Sequence, residues 1–433
     1  MNYQYGLVYL MIAVVAAVDL FLFWRWRKGG LFESLWGKVL ALFLFAAVPI
    51  TAISGMIYLG FRIEAAENSM IYRHFGWFLF IFFLIYIFKF VYANIHGVAL
   101  AVSKNSIKDR FKNNHENIPA EEPLKKRHYP RFTRRKFLSQ VGIVMATAPF
   151  VSLLFGAFRG RFAFYTRHMR LSFPNLPSSF DGLRIVQISD LHLGSFGANR
   201  EPLNKAVDLI NEEHADIILF TGDLVNNFGE EIDGWGSVFS RLKARIGKFS
   251  VLGNHDYGNY SSWNSKEEKR ENFEKILKGH AKLGFKLLNN ESVNIKRNGE
   301  VVALAGVENW GTASYPKRGD LEKAAEGLDK TPFKILMTHD PDHWDKKVLK
   351  QGLFDITFSG HTHGMQFGIE RGDFKWSPAQ YVQKHWAGLY REKDKFLYVN
   401  RGLGYHGLPA RVGMPPEITV FELSRGAIGT EPM

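Results

Sequence analysis

The chain has 433 residues, a formal net charge of +13 and no cysteine. Its length leaves room for two or three domains, and the lack of cysteine excludes disulfides and thiolate metal sites. A positive surplus of this size suggests nucleic acid or a membrane, and its placement favours the membrane: residues 101–136 hold 11 Lys and Arg against 4 Asp and Glu, between two apolar segments, the pattern of a loop kept in the cytoplasm.

Four apolar stretches come first: Tyr5–Trp24, Leu35–Phe61, Phe75–Leu100 and Phe137–Phe158. A helix needs ~20 apolar residues to span a bilayer. Residues 1–100 are therefore expected to form three transmembrane helices, 101–136 a basic cytoplasmic loop, and 137–158 a fourth, signal-anchor helix. Arg25, Arg27 and Lys28 follow the first stretch, and a mixed loop with Arg62, Glu64, Glu67 and Arg73 follows the second. The positive-inside rule puts 25–34 inside, 62–74 outside and everything after about 159 outside. The expected location is a multi-pass place in a bacterial inner membrane, with the rest of the chain on its extracytoplasmic side.

Thr133-Arg134-Arg135-Lys136-Phe137-Leu138 resembles the twin-arginine export signal, which makes that export machinery an expected partner. Ala146-Thr147-Ala148 has the small residues of a cleavage site. Pro149 follows directly, so the segment is expected to remain as an anchor. Asp19, Lys89 and His96 lie within spans, toward their expected cytoplasmic ends. Mutual pairing is cheap there, and a structural role is expected.

From about residue 170 strands and helices alternate. Residues 184–189, 216–221, 249–253, 301–307, 334–339, 355–360, 396–400 and 417–423 read as strands, and 200–213, 265–283 and 319–328 as helices. The alternation predicts an α/β sandwich domain over 165–433. Short polar motifs follow the strands: Asp190-Leu191-His192, Gly222-Asp223, Gly253-Asn254-His255-Asp256, His339 and Gly360-His361-Thr362-His363. Strand ends of one α/β domain bring such groups together. Carboxylate, imidazole and amide oxygen suit Mn, Fe, Zn or a similar divalent ion. Two ions need a bridging ligand, a role that suits the Asp223 carboxylate, and a pair ~3.5–4 Å apart activates water for in-line attack on phosphorus.

In this order the motifs D-x-H, G-D, G-N-H-D, H and G-H-T-H resemble the calcineurin-like metallophosphoesterases over about residues 170–425. The resemblance implies two mixed sheets flanked by helices, here preceded by an α-helical transmembrane region. It implies two divalent metal ions, one held by Asp190, His192, Asp223 and His363, the other by Asp223, Asn254, His339 and His361. It also implies that His255 contacts phosphate or protonates the leaving oxygen, with Asp256 orienting that imidazole. GHTHGMQ (360–366), LYVNRGLG (397–404) and LPARVGMPPEI (408–418) are similar to a membrane-associated bacterial subgroup acting on lipid head groups. Members usually read GHTHGGQ, so Met365 departs from the pattern and is expected to add bulk beside the pocket.

The expected function is a membrane-anchored, dinuclear phosphoesterase acting on a phosphate mono- or diester, with a lipid-linked or cell-envelope phosphate as the favoured substrate and no nucleic-acid partner. Two rivals stand beside it: a nuclease of the same fold, and a membrane sensor or transport module with a regulatory metal domain. Asp340, His343, His385 and His406 are expected to be structural or superficial. Arg401 and Arg411 are open between phosphate contact and solvated charge. Residues 367–390 are open between a lid or lipid-facing surface and an ordinary hairpin.

Overall fold

A computed structural model describes residues 13, 15–24, 35–43, 48–64, 70–91, 134–311, 317–372 and 374–432. The chain divides into two compact units, Met1–Gly60 with Phe78–Leu154, and Phe61–Trp77 with Phe155–Met433.

The amino-terminal residues are helical over Val15–Trp24, Leu35–Leu42, Val48–Glu64, Met70–Val91 and Arg134–Phe158. Among the described residues, Met70–Val91 is the one helix long and apolar enough to cross a membrane, and Val15–Trp24 is apolar but shorter. The third expected stretch starts earlier than its hydropathy suggests, at Met70. Residues 92–133, with His96 and most of the basic loop, lie outside the described residues. Arg134–Phe158 stays helical through Pro149, although the ring removes one backbone donor. Val15, Phe82 and Tyr86 form a small core. Beside it the Lys89 ammonium pairs with Asp19 at 2.6 Å, and Tyr86 O–H donates to the other Asp19 oxygen at 2.8 Å. This is the expected structural pairing: each charge offsets the desolvation of the other.

Among the described residues, the second unit carries fifteen strands. They are β1 (Tyr165–Phe173), β2 (Leu183–Ile188), β3 (Ile217–Phe220), β4 (Gly247–Ser250), β5 (Lys286–Leu287), β6 (Glu291–Arg297), β7 (Glu300–Gly306), β8 (Lys334–Met337) and β9 (Ile356–Ser359). After these come β10 (Ile369–Arg371), β11 (Phe374–Trp376), β12 (Gly388–Glu392), β13 (Lys395–Val399), β14 (Glu417–Arg425) and β15 (Gly429–Pro432). One mixed sheet runs β15-β1-β14-β2-β3-β4-β5 and the other β12-β13-β9-β8-β7-β6, with β10-β11 as a separate hairpin.

The inner strands are apolar on both faces, as strands covered on both sides must be. Ile185, Leu219, Ile335 and Phe358 point into the core between the sheets. Val186, Ile218 and Phe220 face the opposite way, against the helix Glu201–Glu212. Leu336 and Leu397 face Leu321 and Trp344 on the far side. The result is two mixed sheets packed face to face with helices outside. Strands β2, β3 and β4 run parallel, as do β7, β8, β9 and β13. The site motifs follow β2, β3, β4, β8 and β9, each at a carboxyl end.

Candidate metal centre

The loop after β2 carries Asp190 and His192, that after β3 Asp223, and that after β4 Asn254 and His255; His339 follows β8, and His361 and His363 follow β9. All but His361 are buried. The glycines of these motifs are set by close approach. A Cβ on Gly253 would lie 2.1 Å from Asp223 Oδ1, and one on Gly222, at φ +99°, would lie 2.8 Å from His339 Nδ1. Asp190, His192, Asp223, His361 and His363 themselves sit at positive φ, between 45° and 77°. That region is sparsely populated for residues with a side chain and marks functional sites.

Three overlapping groups of donor atoms result. Asp190, His192 and His363 form one, Asp223, His339 and His361 a second, and His192, His255 and His406 a third that shares His192 with the first. His192 Nε2 lies 3.1 Å from His363 Nε2, which lies 3.4 Å from Asp190 Oδ1. Asn254 Oδ1 lies 3.1 Å from His339 Nε2 and 2.8 Å from His361 Nδ1. Asp223 Oδ2 is 3.5 Å from His192 Nε2 and 3.2 Å from His339 Nε2, so one carboxylate oxygen faces the first two groups. His339 Nδ1 donates to the Thr221 carbonyl at 2.7 Å, which leaves a lone pair on Nε2 in the neutral ring. Acceptor atoms at these separations repel one another unless a proton or a cation lies between them. Buried, thiolate-free and rich in imidazole and carboxylate, the donor set fits a divalent transition metal.

Electrostatics agree. Burial works to raise the Asp223 carboxyl, but His339, His255 and His192 hold it well below the usual range. Burial works to lower His339, yet Asp223 raises it to about 10. Asp190 is pushed up to about 7, chiefly by burial. His192 and His363 are both lowered by burial, which keeps their lone pairs available.

Asp256 requires a correction. It does not meet the His255 imidazole. Its carboxylate accepts the backbone N–H groups of Asp223, Leu224, Val225 and Gly253, at 2.8–3.2 Å. The single turn His255–Tyr257 sends the two side chains in different directions, and a carboxylate's four lone-pair sites are filled by four donors. The His255 ring is oriented by the Asn226 carbonyl, 2.7 Å from Nδ1.

His406 was expected to be structural or superficial, but it lies beside the candidate ligands. Its ring centroid lies 4.8 Å from that of His192 and 4.3 Å from that of His255, and Nδ1 is 3.0 Å from Asn226 Oδ1. Burial, with His255 adding to it, lowers its pKa to about 3. Two more residues, Tyr260 and Glu231, had no motif to reveal them, and Arg411 has a role that its motif did not show. Tyr260 stacks on His255 at 4.3 Å, and its oxygen accepts Asn254 Nδ2 at 2.6 Å, turning Asn254 Oδ1 toward the histidines. Glu231 is buried and accepts the N–H groups of Gly194, Asn226, Asn227 and Phe228, at 2.6–3.1 Å. Arg411 is buried and donates to the carbonyls of Arg401, Gly404 and Met414, with Nη2 3.0 Å from His363 Nδ1. It is neither solvated nor a phosphate clamp. Arg401 pairs with Glu370 and Glu417 and is likewise internal.

Asp340 accepts Asp342 N–H, His343 stacks on Trp310, and His385 packs between Trp344 and Tyr390, all structural as expected. Met365 is 45% exposed, on a backbone at φ 49°. Residues 367–390 form the hairpin β10-β11 and a following turn, with Trp386 buried but Phe374, Tyr381 and Val382 exposed.

The model of the family described as calcineurin-like phosphoesterase matches residues 183–365, the stretch that holds all seven candidate ligands. A second model, described as a probable calcineurin-like phosphoesterase transmembrane domain, matches residues 4–161. A transmembrane protein with metallophosphoesterase domain from Danio rerio is 31% identical over 261 residues, covering 58% of this chain and 55% of its own. The chain thus spans about half the length of that relative. The uncharacterised metallophosphoesterase YkuE of Bacillus subtilis is 31% identical over 254 residues, covering 57% of this chain and 81% of its own. A metallophosphoesterase of Aquifex aeolicus is 26% identical over 293 residues, covering 63% of this chain and 98% of its own. The chain belongs to the calcineurin-like phosphoesterases, with a stretch matching their transmembrane domain ahead of its α/β domain.

Proposed function

We propose that the protein is a dinuclear, metal-dependent phosphoesterase that hydrolyses a phosphate mono- or diester carried on a lipid or another cell-envelope component. The observation that carries this reading is the Asp223 carboxylate, whose Oδ2 faces His192 and His339 at 3.5 and 3.2 Å and so joins the first two donor groups. Asp190, His192, Asp223 and His363 would hold one ion, and Asp223, Asn254, His339 and His361 the other. Two divalent ions there would supply positive charge to the phosphoryl oxygens and to a water nucleophile.

The chain's own groups do the rest. Asn254 contributes a neutral oxygen, which limits the negative charge facing a phosphate. His255 and His406 present two imidazoles beside His192, each with Nδ1 on an Asn226 oxygen, so Nε2 carries the lone pair in the neutral ring and donates to a phosphoryl or leaving oxygen only when the ring is protonated. The Asn226 carbonyl and side chain fix both rings through Nδ1.

We place the catalytic domain outside the cytoplasm, anchored by four spans, with export through the twin-arginine route. The grouping of Phe61–Trp77 with Phe155–Met433 in one compact unit supports a common side for the 62–74 connection and the catalytic domain. The exposed apolar residues of the 367–390 region support a lipid-facing surface.

The test is a screen of the full-length protein, loaded with Mn, Fe or Zn, against nitrophenyl esters, lipid phosphates and oligonucleotides, with elemental analysis of the same samples. Two ions per chain and turnover of lipid phosphates but not oligonucleotides are expected. Preferential cleavage of oligonucleotides would establish the nuclease alternative, and absence of turnover in the metal-loaded protein would end the enzymatic reading.

A further inference from the structure

Within the catalytic unit a cavity of about 280 Å³ lies apart from the donor groups. Its lining includes Arg73, Arg161, Trp77, Tyr405, Ser195 and Asn199, with two arginines and no carboxylate. The Arg161 guanidinium lies 4.5–5.0 Å from the ring centres of Trp77, Phe162 and Tyr405. Its Nε and Nη1 are shielded and have no hydrogen-bond partner. A cation held this way is costly until an anion accepts its protons. Burial also draws its pKa below the ordinary arginine value.

The position of the cavity suggests what would fill it. Trp77 lies on the apolar helix Met70–Val91 and touches Phe158, the last residue of the helix Arg134–Phe158, with ring centroids 6.3 Å apart. Where apolar helices end, tryptophan and arginine meet the headgroup layer. The cavity also adjoins the candidate metal centre. Tyr405 O–H donates to the Ser195 carbonyl at 2.7 Å, and Ser195 Oγ lies 3.3 Å from Asn226 Nδ2. Asn226 is the residue that holds His255 and His406.

We propose that this cavity is a second phosphate-binding site, in which Arg73 and Arg161 receive the headgroup phosphate of an anionic lipid at the membrane surface. The proposal rests on the membrane-anchored reading above and extends it to the class of molecule held near the site. Arg161 offers a planar fork of donors suited to bidentate phosphate contact. The surrounding rings exclude water, and Ser195 and Asn199 offer neutral polar groups at the rim.

The experiment uses the full-length protein in phosphatidylcholine nanodiscs, with phosphatidylglycerol as a minor component, and counts retained lipids by native mass spectrometry. Wild type should retain phosphatidylglycerol over phosphatidylcholine by about tenfold or more. Arg161→Gln should lose that preference and Arg161→Lys should recover part of it, because the charge returns without the fork. Arg73→Gln should weaken retention too, and it leaves the stack of rings intact should Arg161→Gln fail to fold. A parallel arm adds inorganic phosphate. Displacement of phosphatidylglycerol at millimolar phosphate would support the phosphate site while identifying free phosphate as a competing source. Unchanged lipid retention in folded Arg73→Gln and Arg161→Gln would overturn the proposal. Metal content of the same samples reports the metal centre separately, so loss of lipid with metals retained is distinguishable from failure of the phosphoesterase reading.

Discussion

The two halves of the candidate site organise their loops with opposite charges. On the side of β2, β3 and β4, Asp256 and Glu231 are buried carboxylates, and each collects four backbone N–H groups. Together they satisfy every N–H from Asp223 to Phe228. On the side of β9 and β13, Arg411 is a buried guanidinium that collects carbonyls of the loop Arg401–Met414. A loop that curls its N–H groups inward needs an anion at its centre, and one that curls its carbonyls inward needs a cation. Hydrogen bonds to charged groups contribute about 1.5–3 kcal/mol each, enough to hold irregular backbone in place without a ladder. Asp223 is the residue that faces both halves.

The largest effect is expected at that seam. Asp223→Ala should abolish turnover and remove metal from both donor groups it joins, read by elemental analysis of the purified variant. A protein that kept one full equivalent of metal would show the halves bind independently and break the bridging assignment. Next comes His255, on the carboxylate side but facing His406 on the other. His255→Ala should keep its metal and lose ~10²–10⁴ in rate on an alkyl ester. The loss should shrink on a nitrophenyl ester, whose leaving group needs no proton. Equal losses on both would assign His255 to phosphate binding instead.

The organisers themselves can be compared by denaturation. Glu231→Gln and Arg411→Met should each cost about 3 kcal/mol, since each leaves several buried backbone groups unpaired. In the double variant the costs should add. Strong non-additivity would mean that the halves fold as one network.

Acid should weaken both halves alike. His280 bonds Ser250 at the end of β4 and His343 bonds Thr338 just past β8, and burial pushes both down to about 3. The unfolded chain, titrating near 6.5, binds protons first, so stability present above pH 6.5 is lost as pH falls toward 3. The loss is about 2 kcal/mol per histidine at pH 5. His280→Gln and His343→Gln should each flatten the melting temperature against pH, and an unchanged slope in either would show that its ring is hydrated. The smallest effect is expected of Met365→Gly. Relief of the left-handed backbone, offset by chain entropy, should raise stability by about 0.5 kcal/mol. A clear loss would mean that the Met365 side chain packs in solution.

Much of this was legible in the sequence because parallel strands buried on both faces read as apolar runs, and polar residues break those runs where the strands end. Thus β2, β3, β8 and β9 lie within two residues of their expected bounds, and all seven candidate ligands converge. The edge elements were not legible. Strands β1, β6 and β12 alternate polar and apolar residues weakly, and β10 and β11 have three residues each. Residues 319–328 shrank to the helix Leu321–Ala324 because Gly327 turns at φ +74°. Within the site, adjacency in the chain misled. Asp256 follows His255 yet serves other loops, whereas His406, more than 40 residues past His363, completes the cluster. Glu231 and Arg411 act by collecting backbone groups, and backbone demand leaves no signature in side-chain spacing.

Five candidate ligands held at positive φ have a consequence for drift. At each, glycine would relieve about 1 kcal/mol of backbone strain, of which about 0.5 kcal/mol remains after its entropy cost, and five such gains still form a sizeable part of a typical folding margin. A lineage released from the chemistry would gain stability by sliding toward glycine at Asp190, His192, Asp223, His361 and His363. This chain has taken none of those five exits, so its architecture still bears a standing cost in backbone strain at its candidate metal centre.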